Sequence, residues 1–303
     1  MSAIKIPLNE LKTYGQPGLT ITERLGYGPF TAVGKGKHNN ADAILKCTYL
    51  PISDNEMEIN KKITAAIDHG FEDSQYFVRM RHFFDRRKGP VKIGRCMVTD
   101  YVEGESLEKY LLNLGEHRYE FIFSAFLHML KALRFLHRNG IIYANFNLED
   151  IIITNNEMGE MTIKVIDFGS SIMFDADKPK GYMGRIYNVD PDHAPPETLT
   201  LSEYNRLTAD TWLLGSALYD VISSKSTTYV LASVAFKKYR LNLKQVVRDY
   251  GVNELELPEP IRDSNGNLLN LQNNLRFMLK MLLVVNHKNR STPEKLLKHH
   301  FKG

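Results

Sequence analysis

The stretch "GYGPFTAV", residues 26–33, sets Gly26 and Gly28 two apart. Glycine lets a backbone come close to a phosphate, because no Cβ stands in the way. Two glycines between strands also make a plain hairpin turn, which is the commoner meaning of such a pair on its own. Thirteen residues after Val33 stands Lys46, the end of "AILK", and a helical stretch carrying Glu56 and Glu58 follows. Further on, "VIDFGSS" holds Asp167, and "IIYANFNLEDIII" at 141–153 holds Asn145, Asn147 and Asp150. Taken singly, each has an ordinary account: Asp-Phe-Gly is a turn after a strand, and both glutamates are solvated helix residues.

The elements that must position these residues follow from periodicity. "LTITERLGYGPFTAVGKGKHNNADAILKCTYL" alternates around glycines and the turn-prone Asn39-Asn40, which predicts three consecutive antiparallel strands. "DNEMEINKKITAAI" predicts a short helix, and "YFVRMRHFFDRR" and "GRCMVTDYV" predict two more strands around Lys88-Gly89-Pro90. From Ser106 the character turns helical. "SLEKYLL" opens on an N-cap, and "EFIFSAFLHMLKALRFLHRNG" sets Ile122, Ala125, Met129, Leu133 and Leu136 on one face before Gly140 stops it. The remainder is expected to be helical except around 141–153. A boundary near "VEGES", 102–106, therefore divides a small sheet-rich part, 1–103, from a larger helical part, 104–303.

Bulk properties exclude several classes. At 303 residues and 43% hydrophobic content the chain has ample material for a core and is not disordered. Cys47 and Cys96 are the two cysteines, too few for a disulfide framework and outside any His/Cys cluster, which favours a reducing compartment, cytoplasmic or nuclear. No basic-then-apolar N-terminal run occurs, and no stretch approaches the roughly 20 apolar residues of a membrane span. A soluble chain with no membrane partner is expected. The net charge of +4 is mild. "RMRHFFDRRKGPVK", 79–92, concentrates basic and aromatic residues, for which a solvated hairpin is favoured over a nucleic-acid or acidic-partner patch.

Joined by "HAPPETL" with Glu197, "ADTWLLG" with Asp210, Trp212 and Gly215, and "NHKNRSTPEKLLKHHF" with Arg290, these stretches in this order resemble the eukaryotic-type protein kinase family from about residue 19 to the C-terminus. The resemblance implies an α+β, bilobal fold with a small β-rich N-lobe and a larger, mainly helical C-lobe. It implies that Lys46 holds the nucleotide's α and β phosphates and pairs with a helix glutamate, while Asp167 binds magnesium. Glu56 is the preferred partner, because Ile59 and Ile63 follow three and seven residues on, whereas Glu58 would put Lys61 and Ala65 there. Glu197 would pair with Arg290, and Asp210 would brace the catalytic loop. Gly26, Gly28, Val33, Ile44, Thr99, Val102 and Ile152 complete the implied nucleotide site. Small-molecule kinases share the fold's core but not the pattern of Glu197, Asp210 and Arg290.

The departures decide the expected function. Aligned with the family's H-R-D-L-K-x-x-N, the loop becomes Tyr143, Ala144, Asn145, Phe146, Asn147, Leu148, Glu149 and Asp150. An amide at Asn145 cannot accept a proton as a carboxylate does, a loss of about 10²- to 10⁴-fold. Asn147 removes a cation worth about 10²- to 10³-fold, and the two losses need not multiply. Ala144 removes the arginine that reads a phosphorylated activation segment. Asp150 keeps a carboxylate that could join Asp167 in a two-carboxylate magnesium site. Ile44 stands where the family carries a small alanine, an overpacking of roughly 1–3 kcal/mol, and Thr31 replaces the third glycine. The resemblance thus implies ATP with magnesium bound weakly or not at all. The expected function is that of a pseudokinase, a regulatory or scaffold protein binding a protein partner such as an active kinase or its substrate. The alternative is a weakly active atypical kinase that phosphorylates Ser/Thr using Lys46, Asp150 and Asp167.

Overall fold

The computed structural model describes residues 16–27, 31–49, 52–113, 118–187, 189–223, 227–234, 242, 244–245 and 270–301. The chain divides into two units: residues 1–104 with 164–169, and residues 105–163 with 170–303.

In the first unit five strands form one antiparallel sheet: β1 (Leu19–Tyr27), β2 (Thr31–His38), β3 (Ala41–Tyr49), β4 (Met80–Lys88) and β5 (Val91–Asp100). Their order is β1-β2-β3-β5-β4, so β5 lies between β3 and β4. Asn39 and Asn40 make the β2–β3 turn at φ 51° and 66°, the left-handed conformation that asparagine tolerates better than most residues. Helix α1 (Ile52–Asp68) packs on one face of the sheet, where Met57, Met80 and Met97 are buried together. A second cluster of Ile21, Ala32, Ala43, Leu45, Cys47, Cys96 and Val98 fills the other side of the alternating strands.

Two expectations for this unit need correction. The strand expected from Tyr76 starts only at Met80, because Ser74–Tyr76 is a 3-10 turn and Phe77 bridges Val165 in parallel. Cys47 and Cys96, counted as too few for a framework, form a disulfide. Register is the reason: β3 pairs with β5 so that Cys47 stands directly opposite Cys96. The cysteine count therefore gives no argument for a reducing compartment. Among the described residues no helix is long and apolar enough to cross a membrane.

Several basic residues in and beside the hairpin pair with acidic neighbours. Arg79 pairs with Asp68, Arg81 with Asp100, and Arg95 and Lys92 share Asp54 and Asp85. Lys61 lies over the Phe83 ring at 4.6 Å.

The second unit is mainly helical. Ser106 caps α2 (Leu107–Leu112) by accepting the amide of Lys109. Helix α3 (Arg118–Arg138) buries Ile122, Ala125, Met129, Leu133 and Leu136, the face expected from spacing, and Gly140 at φ 71° ends the run. Helix α4 (Arg206–Ser223) is buried from Thr208 to Tyr219. Gly215 in it is required: a Cβ there would stand 2.7 Å from the Leu282 Cβ on α6 (Asn270–Leu282). Helices α5 (Thr227–Val234) and α7 (Pro293–His299) complete the helical set described. Between α3 and α4 the chain forms short strands rather than helix, among them β6 (Ile141–Ile142) paired with β7 (Ile172–Met173).

Candidate active site

In the first unit the residues expected at the phosphates are brought together by β3 and α1. Directly opposed residues of an antiparallel pair share a face, so Val33, Lys46 and Met97 project together, as do Ile44 and Thr99 one step along. That face meets α1. The Lys46 Nζ lies 2.5 Å from Glu56 Oε1 and 2.8 Å from Asp167 Oδ1. Glu56, with its side chain 1% exposed, also receives the Thr48 hydroxyl at 3.4 Å. Burial alone would lower the Lys46 pKa, but the two carboxylates outweigh it and raise the pKa, so the amine stays charged. Burial pushes the Glu56 carboxyl up against the opposing pull of Lys46.

Asp167 reaches this cluster because residues 164–169 belong with the first unit. Lys164 donates to the Gln75 and Phe77 carbonyls at 2.5 and 3.2 Å, and the buried Phe168 ring lies 6.0 Å from Phe77. The Gly169 amide donates to Asp167 Oδ1 at 2.7 Å, fixing the carboxylate in a tight turn. A methyl group at Gly26 would meet no atom within 4 Å, so the strand leaves open space there. Gly28 lies outside the described residues. Val102 belongs to the first unit and is half-buried. Glu58 pairs with Lys61 on the solvated side of α1, as expected.

The second unit holds the altered loop. Asp210, fully buried on α4, accepts the amides of Tyr143 and Ala144 at 2.7 and 2.8 Å, and its Oδ2 lies 2.9 Å from His137 Nε2. Ala144 sits at φ 71°, a conformation that costs a non-glycine residue of order 1–3 kcal/mol. Arg290 holds Glu197 bidentately at 2.7 and 3.0 Å, both side chains buried. Asn145 and Asn147 line a cavity of about 510 Å³ together with Asp190, His193 and Asp220. Asn147 accepts the Glu149 amide at 3.1 Å, and Asp150 ends the 3-10 turn Leu148–Asp150. Ile152 is half-buried on the strand Ile151–Asn155.

Lys46, Glu56 and Asp167 are thus brought together in one unit, while Asn145, Asn147, Asp150 and Ile152 belong to the other. Among the described residues no group of three or more His, Cys, Asp or Glu is arranged to hold a metal. A nucleotide's phosphates fit the charged Lys46 and the open side of Gly26; a magnesium ion would find in the first unit the carboxylate of Asp167, whose Oδ1 is shared by Lys46 and the Gly169 amide. Sequence reasoning missed His137 and Thr48. Neither carries a local signal, since each acts across the fold on a partner whose own role becomes visible only in three dimensions.

A model of the protein kinase domain matches residues 19–302. A probable serine/threonine-protein kinase KIN1 homolog of Enterocytozoon bieneusi is 32% identical over 130 residues, 43% of this chain and 20% of that protein. NUAK family SNF1-like kinase 1 of Homo sapiens is 25% identical over 174 residues, 57% of this chain and 22% of that protein. CBL-interacting protein kinase 25 of Oryza sativa subsp. japonica is 24% identical over 227 residues, 69% of this chain and 41% of that protein. The chain spans less than half the length of each of these relatives. Because the domain match takes in nearly the whole sequence, the chain belongs to the eukaryotic-type protein kinase superfamily, and its β-rich and mainly helical units are that fold's two lobes.

Proposed function

We propose that this protein is a pseudokinase, a kinase-shaped scaffold or regulator that binds a protein partner and transfers phosphate slowly or not at all. The observation that carries the reading is a loop maintained in shape and altered in chemistry. Asp210 still holds the loop's backbone through two amides, while the side chains that line the cavity beside it at the reactive positions are the amides Asn145 and Asn147. A braced loop without a carboxylate at 145 can orient an acceptor but cannot take its proton. Without a cation at 147 it cannot offset the charge that develops on a transferring phosphoryl group. An active kinase or its substrate is the kind of partner a kinase-shaped surface would engage.

A second reading has one observation in its favour: the Lys46, Glu56 and Asp167 cluster is assembled with a charged, buried lysine. ATP with magnesium, once bound, supplies the phosphoryl group and the charge neutralisation. Lys46 would bind phosphate, Glu56 would orient Lys46, and slow transfer to Ser/Thr would proceed with no dedicated base if the transition state is dissociative.

Titration with ATP, with and without magnesium, and a phosphotransfer assay on generic Ser/Thr substrates separate the two. The expected result is transfer no faster than in an Asp167→Asn control, and a gain in transfer from the combined Asn145→Asp and Asn147→Lys variant if nucleotide binds productively. Turnover above about 1 s⁻¹ in the unmodified protein, the lower end of the ordinary kinase range, overturns the pseudokinase reading.

A further inference from the structure

Residues 172–197, which follow the Asp167-Phe168-Gly169 turn, contain no serine or threonine. Ser171, just before them, is buried, and its hydroxyl donates to the Tyr143 carbonyl at 3.0 Å. Within the second unit this segment is nonetheless tied down along its length. Its first residues pair with β6, and the Phe174 amide donates to the Gly140 carbonyl at 2.8 Å. Its middle, Met183–Gly184, pairs antiparallel with Tyr204–Asn205.

Two side chains beside that pairing close on the segment. The Tyr204 hydroxyl accepts the Ile186 amide at 2.9 Å and donates back to the Ile186 carbonyl at 3.4 Å. The Arg206 guanidinium donates from Nε to the Tyr182 carbonyl at 3.0 Å and from Nη2 to the Gly181 carbonyl at 2.9 Å. Gly184 makes room for it: at φ 149°, a Cβ there would stand 3.2 Å from the guanidinium carbon. Underneath, Ile186 is 4% exposed and packs in one apolar cluster with Ala144, Ile142, Tyr204, Ala209 and Leu213. Ala144, at the loop position where the family carries arginine, is itself a buried member of that apolar cluster. Immediately after the clamped residues, Tyr187 is 82% exposed, and Val189, Asp190 and His193 line the cavity shared with Asn145 and Asn147.

We propose that Tyr204, Arg206 and Gly184 form a phosphate-independent clamp that holds residues 181–186 in place permanently, without an activating modification. Carbonyl groups take the guanidinium's hydrogen bonds in the role a phosphate would fill, and the tyrosine hydroxyl satisfies both backbone groups of a residue outside any helix or long strand. An apolar anchor beneath and hydrogen bonds above resist local opening, which is what a segment ordered without a modification requires. The clamp is a property of the chain itself and stands whether or not the partner-binding reading above is correct.

Hydrogen exchange followed by mass spectrometry on protein of verified phosphate-free mass tests it directly. The expected result is slow exchange of the amides of Met183 and Ile186, with the peptide covering 181–187 protected well below free-peptide rates. Tyr204→Phe, which keeps the buried ring, should speed that peptide's exchange about fivefold or more, the equivalent of one lost net hydrogen bond. Arg206→Ala should do the same, and Gly184→Ala should resemble it by displacing the guanidinium. Peptides from α1 should be unchanged in all three, which separates loss of the clamp from loss of the fold. Free-peptide exchange of 181–187 in the unmodified phosphate-free protein, or no acceleration in Tyr204→Phe and Arg206→Ala, overturns the proposal.

Discussion

Lys46 is a cation whose nearest partners are two carboxylates, and one of them, Glu56, has almost no access to water. Removing a buried partner costs more than the pair contributes, because the remaining charge has nowhere to be solvated. Lys46→Met should therefore destabilise the protein by about 3–5 kcal/mol in urea unfolding, well beyond the loss of an exposed ion pair. Lys46→Met combined with Glu56→Gln should recover at least half of that loss, since the orphaned charge is gone. A single-variant cost below about 1 kcal/mol would mean that Glu56 takes up a proton or finds water, and the cluster would then be a weak device for holding α1 against the sheet. Lys46 variants are for the same reason poor inactive controls, because lost activity would be mixed with lost fold. That Glu56 and not Glu58 is the partner was legible in sequence from the apolar residues spaced behind it. The third member, Asp167, was not legible as a partner of Lys46, since 121 positions separate them and only the return of residues 164–169 to the first unit joins them.

At the scale of elements, the cross-strand pair Cys47–Cys96 shows how strand order creates what spacing conceals. The two cysteines are 49 residues apart, and a hairpin reading of consecutive strands gives no reason to bring them together. They meet because β5 inserts between β3 and β4, and because the register leaves both side chains on the buried face with Leu45 and Val98. Closing a loop of that length restricts the unfolded chain by on the order of 4 kcal/mol in the chain-entropy view, of which about 2–4 kcal/mol is ordinarily realised. Reduction, or Cys47→Ser, should lower the unfolding free energy by that amount, read as the difference between denaturant curves with and without a dithiol. Two free thiols in denatured, unreduced protein would show that the bond does not form in solution. The brace on the altered loop is also an effect of elements. Asp210 was foreseen as its anchor, but His137, at the far end of α3, was not, because a polar residue near a helix terminus looks like a solvated one until its partner is placed.

For the whole molecule, sequence order alone was enough to identify a sheet-rich part followed by a helical one, since alternation and helical spacing are properties of contiguous residues. What it could not supply was the crossing segment, 164–169, and the two-residue strand pairs Ile141–Ile142 with Ile172–Met173 and Met183–Gly184 with Tyr204–Asn205, whose length is below what periodicity can register. The behaviour of the whole fold with pH follows from histidines held among apolar and cationic neighbours. Burial lowers the pKa of His128, with Lys131 adding to the effect, and burial lowers that of His287, with Arg290 and Lys288 adding to it against Glu197. Each folded-state value therefore lies below the unfolded one. As pH falls through the ordinary histidine range, the unfolded chain takes up protons that the folded chain resists, so the unfolded state gains and stability declines. The melting temperature should accordingly drop between about pH 7 and pH 5.5, above the range where most carboxylates titrate. His128→Gln, which cannot charge, should flatten part of that slope while changing the melting temperature at pH 7.5 less than at pH 5.5. A melting temperature that holds level or rises on acidification, or a His128→Gln profile parallel to the unmodified one, would mean that these imidazoles gain compensating contacts on protonation and that the acid limit of the fold is set by its carboxylates.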